Sequence, residues 1–64
     1  ESGDVLALRQ IMQTLSERDR MLLTMRYYQN KTQSQTAQAL GMTQVQVSRR
    51  EKKLLLTMRE ELLR

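Results

Sequence analysis

Hydrophobic residues recur at helical spacing along most of this chain. Near the N-terminus, apolar side chains between Val5 and Leu15 fall three or four positions apart, which is the spacing of one face of a helix. Asp4 stands just before this run and suits a helix start, because its carboxylate can accept hydrogen bonds from the free amides of the first turn. The pattern therefore predicts a first helix over about 4–15.

A second helix is predicted over about 17–28. Ser16 and Asp19 form a capping signature, in which the hydroxyl accepts from the amide three residues on and the acidic side chain reaches back to the amide of the cap. The residues expected on the inward face of this helix are Met21, Leu22, Met25 and Tyr28. This interpretation buries the Tyr28 ring and leaves its hydroxyl at the surface.

Two Thr-x-x-Gln signatures, beginning at Thr32 and Thr43, predict two further helix starts eleven residues apart. In each signature the Thr hydroxyl can accept from the Gln amide, and the Gln side chain can return to the Thr amide. The helices are predicted over about 33–40 and 44–63. Gly41 lies between them, where a helix commonly ends in left-handed geometry that disfavours a residue with a Cβ.

The connector 41–43 is too short for the last two helices to pack side by side, but it suits a sharp corner. Two helices joined by such a turn form the helix-turn-helix unit. Small Ala37 stands where the helices must approach, and Val47 is expected to point back at it. The inward seam of the last helix is expected at Val47, Leu54, Met58 and Leu62. The predicted fold is all-α: one small four-helix domain over 1–64, with a C-terminal helix-turn-helix of the winged-helix-like class but no wing.

Composition limits the chemistry. The 64 residues include no Cys and no His, which excludes disulfides, common zinc sites, histidine bases and thiol nucleophiles. We therefore expect no enzyme, no cofactor and no small-molecule substrate. No apolar run approaches the roughly 20 residues of a membrane span, so we expect no membrane partner and a cytoplasmic location. Because the sequence begins at Glu1 rather than at methionine, we expect it to be a domain of a longer protein.

The net charge of +4 is unevenly distributed. Residues 1–25 carry three Arg against four acidic residues, whereas residues 26–64 carry eight Lys or Arg against three Glu. A concentration of positive charge on one part of a domain is typical of a protein that binds a polyanion. Together with the helix-turn-helix spacing, it indicates DNA binding.

In a helix-turn-helix, side chains near the start of the second helix read base edges in the major groove. The residues expected on that outward face are Gln44, Val45, Ser48 and Arg49. Gln can pair with adenine, Arg with guanine, and Val can pack on a thymine methyl group. Free amides at helix starts favour a phosphate, which predicts backbone contacts at Thr32, Gln33, Ser34 and Thr43. Arg26 and Lys52 suit either a phosphate contact or an ion pair.

The order of these motifs resembles region 4 of the sigma-70 family of bacterial RNA polymerase sigma factors, in its sporulation and stress branch. The resemblance covers about Leu15 to Met58 and rests on the runs LSERDR, RYY, TQS, LG and QVQVSR. The last run is most similar to the forespore sigma factor F type. Two positions depart from the pattern, because Thr36 and Arg50 stand where apolar residues are usual. A buried, unpaired guanidinium is prohibitive, so Arg50 is expected to reach solvent or to pair with Glu51 or a carboxylate from the first half.

The resemblance implies recognition of the promoter −35 element in double-stranded DNA. It implies that positions matching Gln44, Val45 and Arg49 read bases, and that those matching Arg18 and Lys53 touch the DNA backbone. Bacterial RNA polymerase would be recruited in this way for transcription initiation.

The resemblance also implies docking on the RNA polymerase core at the β flap tip, through an apolar surface that anti-sigma factors also target. Leu54, Leu55 and Leu56 cannot all point inward from one helix, so Leu55 and Leu56 are the candidates for this surface. Two alternatives stay open. One is a stand-alone helix-turn-helix regulator, and the other is a helical protein-interaction module that binds only the flap or an anti-sigma factor.

Overall fold

The computed structural model describes residues 3–63, and this part of the chain contains helices and no strand. The elements are α1 (Gly3–Thr14), α2 (Glu17–Leu23), a π-helical turn that continues α2 (Thr24–Tyr28), α3 (Gln33–Leu40) and α4 (Gln44–Leu62). The prediction of an all-α fold with a helix-turn-helix at its C-terminal end is confirmed. Within residues 3–63, none of the helices combines the length and the hydrophobicity of a membrane span.

Both Thr-x-x-Gln signatures form complete capping boxes. Thr32 Oγ1 accepts from the Gln35 amide at 3.0 Å, and Gln35 Oε1 accepts from the Thr32 amide at 2.9 Å. The Thr43 and Gln46 pair repeats the arrangement at 3.1 and 2.9 Å. Each box satisfies amides that would otherwise lack a partner at a helix start. Helices α3 and α4 therefore begin where the local sequence dictates.

Gly41 makes the corner between α3 and α4. Its φ of 66° and ψ of 33° are left-handed, and its amide donates to the Ala37 carbonyl. The next amide, that of Met42, also donates to the Ala37 oxygen at 2.9 Å. These two bonds close the end of α3, and the chain then turns through the connector 41–43 into α4, as predicted.

Helix α1 differs from the prediction at both ends. It begins at Gly3, so Asp4 lies in its first turn instead of capping it. It ends at Thr14, and Leu15 lies just beyond, partly buried against the core. None of the residues in α1 is buried. This helix therefore lies outside the buried core of the described chain.

The core is small and is built mainly by α2, α3 and α4. The buried apolar residues are Leu22, Leu23, Ala37, Leu40, Val47 and Leu54. Burying a Leu or Val side chain contributes roughly 1.5–3 kcal/mol, so these few residues supply much of the stability. Val47 is fully buried in the same cluster as Ala37, as the spacing predicted.

Three expected core residues lie at the surface instead. The exposed fractions are 42% for Met21, 76% for Tyr28 and 42% for Leu62. Helix α2 turns Leu22 and Leu23 inward in place of Met21. The π turn closes its hydrogen bond over five residues, from the Gln29 amide to the Thr24 carbonyl, and this extra residue changes the angular position of Tyr28 relative to an uninterrupted α-helix. Leu62 lies one turn beyond Met58, where packing against the core ends.

Candidate nucleic-acid interface

The first turns of α4 present the side chains that the sequence assigns to base reading. Gln44, Val45 and Arg49 are exposed, and Ser48 is half-buried. Val47 lies among them in sequence and is fully buried, so the helix directs its opposite face away from the core. Residues with amide, guanidinium, hydroxyl and small apolar side chains thus lie close together at an accessible helix start.

The starts of α3 and α4 lie next to each other. The predicted phosphate contacts Thr32, Ser34 and Thr43 are exposed, and Gln33 is half-buried. In the capping boxes the two Thr hydroxyls act as acceptors, which leaves each hydroxyl hydrogen able to donate to an anion. This edge of the molecule therefore offers both backbone amides and hydroxyl groups.

An open basic concavity lies beside this edge. It has a volume of about 530 Å³, and its lining includes Arg18, Met42, Arg49, Arg50 and Lys53. Arg49 and Lys53 are one helical turn apart on α4, so both cations face the same side. Positive charges gathered in a concave surface attract an anionic ligand such as a nucleic-acid backbone.

The Arg18 guanidinium is already hydrogen-bonded within the protein. Its Nη2 donates to the carbonyl oxygen of Leu40, the last residue of α3, at 2.6 Å. The carbonyls at a helix end lack intrahelical donors, so this cation stabilises the end of α3. No local pattern in the sequence indicates this contact, which joins residues 22 positions apart.

Arg50 is paired with Asp19, a carboxylate from the first half of the chain. Its Nε and Nη2 donate to the two carboxylate oxygens at 2.9 and 2.7 Å. Arg50 was expected to reach solvent or to pair, and it does both, since its side chain is 42% exposed and its partner is Asp19 and not Glu51. The Arg50 guanidinium, opposed by burial and aided by the Ser16 hydrogen bond, holds the pKa of Asp19 below its ordinary value.

This pairing also alters the predicted cap of α2. The Ser16 hydroxyl accepts from the Asp19 amide at 3.2 Å, which is one half of a capping box. The Asp19 carboxylate instead accepts from Arg50. Within residues 3–63, no bond from the Ser16 amide to this carboxylate completes the box. The prediction of a helix start at this position is confirmed, and the prediction of a full box is wrong.

A second ion pair joins the π turn to α4. Arg26 donates through Nε to Glu51 and through Nη1 to the Lys31 carbonyl, and the Tyr27 hydroxyl donates to the other Glu51 oxygen at 3.4 Å. Of the two roles that the sequence left open for Arg26, the structure shows the ion pair. Glu51 is buried, and its two oxygens link α4 to the π turn.

An apolar groove lies on another side of the molecule. It has a volume of about 290 Å³ and is lined by Leu8, Met12, Tyr27, Tyr28, Leu55 and Met58 among others. Leu55 and Leu56 are 40% and 57% exposed, and Leu55 is the one that lines the groove. The contribution of α1 and the two tyrosines was not predicted, because it depends on the π turn and on how α1 packs against α4.

Comparison with known proteins identifies the family. Residues 11–60 match the family model described as Sigma-70, region 4. The chain is 50% identical over 52 residues to an RNA polymerase sigma-F factor of Bacillus licheniformis, which covers 81% of this chain and 20% of that protein. No solved structure matches.

Other relatives are also sigma factors. The identity is 47% over 47 residues to an RNA polymerase sigma-G factor of Bacillus subtilis, covering 73% of this chain and 18% of that protein. It is 36% over 58 residues to an RNA polymerase sigma-B factor of the same organism, covering 91% and 22%. The chain spans about a fifth of the length of these curated relatives.

Proposed function

The chain belongs to the sigma-70 region 4 family, and on that premise we propose that it recognises the −35 element of bacterial promoters and so recruits RNA polymerase for transcription initiation. This role consists of binding, without a catalytic step, and belongs in the bacterial cytoplasm. The observation that carries the proposal is the accessible face at the start of α4, where Gln44 and Arg49 are exposed opposite the buried Val47.

In the proposed complex, the start of α4 enters the major groove. Gln44 pairs with an adenine, Arg49 pairs with a guanine and Val45 packs on a thymine methyl group, while Ser48 hydrogen-bonds at the groove edge. Each good bidentate pair contributes roughly 1–3 kcal/mol of discrimination against the wrong base. These contacts determine which sequence is bound.

Phosphate contacts supply most of the salt-dependent affinity in this proposal. The residues assigned to them are Thr32, Gln33, Ser34 and Thr43 at the helix starts, with Lys53 and Arg18 at the basic concavity. Lys53 is exposed and has the simplest role, that of a charge near the backbone. Arg18 also donates to the Leu40 carbonyl, so its side chain contacts the end of α3 as well as the basic concavity.

Leu55 and Leu56 are assigned to the polymerase contact. An apolar groove with exposed leucines suits a hydrophobic segment such as the β flap tip, and the same surface suits an anti-sigma factor. The groove is lined by side chains of α1, the π turn and α4, so the DNA and polymerase contacts would use different faces. The two partners can then be bound together.

The test is a binding assay with the 64-residue chain tethered to the polymerase flap. Fluorescence anisotropy would compare a duplex carrying a −35 element with a scrambled duplex of the same composition, at several salt concentrations. The proposal expects tighter binding to the matched duplex at every concentration. Equal affinity for both duplexes would refute promoter recognition, and flap binding without it would favour the protein-interaction module.

A further inference from the structure

We propose that the first turn of α2 is a clamp that fixes α4 relative to α3, and that Arg18, Asp19 and Arg50 are positioning residues for the base-reading face. The inference rests on the proposed function. It assigns to this turn a role in sequence discrimination that needs no contact between Asp19 and DNA.

One side of the clamp holds the end of α3. Arg18 donates to the carbonyl of Leu40 at 2.6 Å, and Leu40 directly precedes the corner at Gly41. The bond is formed by a charged donor, and such bonds are short and strong. The last residue before the corner is therefore attached to α2.

The other side of the clamp holds α4. Asp19 accepts two parallel hydrogen bonds from Arg50 at 2.9 and 2.7 Å. A bidentate pair fixes the orientation of both groups as well as their distance. The side chain of Asp19 is only 11% exposed, and its amide is bonded to the Ser16 hydroxyl. The carboxylate is thus a fixed point against which α4 is oriented.

Arg50 follows Arg49 directly in α4, so any rotation of the helix that breaks the bidentate pair also displaces the Arg49 side chain. At the corner itself, the amides of Gly41 and Met42 donate to the Ala37 carbonyl, and neither of these bonds involves a residue of α4. Gly41 has no side chain, and a Cβ placed on it would meet nothing within 4 Å. Two adjacent residues of α2 therefore bond to the chain on both sides of the corner.

The charge of Asp19 allows positioning to be distinguished from simple electrostatics. Asp19 is an anion next to a basic concavity lined by Arg18, Arg49 and Lys53. Electrostatics alone predicts that removing this charge strengthens binding to every DNA sequence. A positioning role predicts instead that the preference for the matched duplex falls.

The experiment measures the ratio of affinities for matched and scrambled −35 duplexes with the flap-tethered chain. We expect Asp19→Asn to lower this ratio about threefold or more, with binding to the scrambled duplex unchanged or stronger. Arg50→Lys keeps the charge but loses the planar fork, and we expect the same loss. Glu17→Gln removes an equal charge from the same turn of α2 and should leave the ratio unchanged.

Circular dichroism of each variant shows whether it is folded at the assay temperature. An unchanged ratio in folded Asp19→Asn would overturn the inference while leaving the proposed function intact. If that variant is unfolded, Arg50→Lys decides in the same way. Absence of any preference in the unsubstituted chain would instead reject the proposed function itself.

Arg18 provides an independent measurement. If Arg18 only contacts phosphate, Arg18→Ala should weaken binding to both duplexes equally. It should also reduce the slope of the salt dependence by about one. For a positioning residue we expect Arg18→Ala to lower the matched-to-scrambled ratio about threefold or more. Equal weakening of binding to the two duplexes would show that Arg18 is not a positioning residue.

Discussion

The side-chain amide of Gln44 donates to the side-chain oxygen of Gln33 at 3.2 Å, so the first residue of α4 is bonded to the first residue of α3. A glutamine that reads adenine uses its oxygen and one N–H, and the second N–H is the group that Gln33 can occupy. In the proposed complex, Gln33 would therefore orient Gln44 before DNA is bound, which would lower the entropy lost on binding.

Replacing Arg49 and Lys53 separates base reading from phosphate attraction. We expect Arg49→Ala to weaken binding to the matched duplex by about 1–3 kcal/mol and to relax the preference at one base pair. Lys53→Ala should weaken all sequences alike and flatten the salt dependence. The measurement is anisotropy across single-base variants of the −35 element. Equal losses on matched and scrambled duplexes for Arg49→Ala would contradict its assignment.

Thr36→Val should stabilise the chain. Thr36 is fully buried, and its hydroxyl oxygen has no hydrogen-bond partner within the described residues. A buried unsatisfied polar group costs about 1–3 kcal/mol, and Val has nearly the same shape. We expect the free energy of unfolding in urea to rise by about 1 kcal/mol. The exposed Thr57 is the matched control, and Thr57→Val should change stability by less than about 0.5 kcal/mol.

Gly41→Ala should destabilise the corner by about 1 kcal/mol or more. The reason is conformational, since the φ of 66° disfavours any Cβ although the surrounding space is open. Gly3 at the start of α1 also has open space, but it lacks a left-handed φ, so Gly3→Ala should leave stability unchanged or raise it. Thermal unfolding of both variants checks the prediction, and a similar midpoint for the two would contradict it.

The Asp19–Arg50 pair should make stability depend on pH in the acid range. Arg50, with smaller effects of Ser16 and Lys53, lowers the pKa of Asp19 in the folded chain against the effect of burial. The pair therefore contributes stability above the unfolded pKa of about 4, and this contribution is lost as the pH falls through the lower folded pKa. Urea unfolding between pH 2 and pH 7 measures this effect. The free energy of unfolding should decline less at acid pH in Asp19→Asn than in the unsubstituted chain. An identical decline would contradict the prediction.

Leu55→Ser should weaken binding to the polymerase flap and leave the preference among DNA duplexes intact. Leu55 lines the apolar groove and is 40% exposed, so its loss removes apolar contact area with little effect on the core. Leu63 is 74% exposed and lies outside the groove lining, so Leu63→Ser is the control. Pull-down with the isolated flap would compare the two, and equal retention would argue against the groove.

Features fixed by neighbours in sequence were predictable here. The capping boxes at Thr32 and Thr43 and the corner at Gly41 each depend on residues within one turn, so the residue types alone locate them. The partners of Arg18 and Arg50 lie 22 and 31 positions away, and their identity depends on how α2 packs. The charge of Arg50 predicted that this side chain would reach solvent or pair, but only the fold selects Asp19 as the partner.

The π turn at Thr24–Tyr28 determines where the rings of Tyr27 and Tyr28 lie. An uninterrupted α-helix would place Tyr28 close to the angular position of Met21, two turns earlier. One additional residue in a single turn instead leaves two phenol rings, those of Tyr27 and Tyr28, at the mouth of the apolar groove. A one-residue deletion in this turn would therefore change how the two rings line the groove.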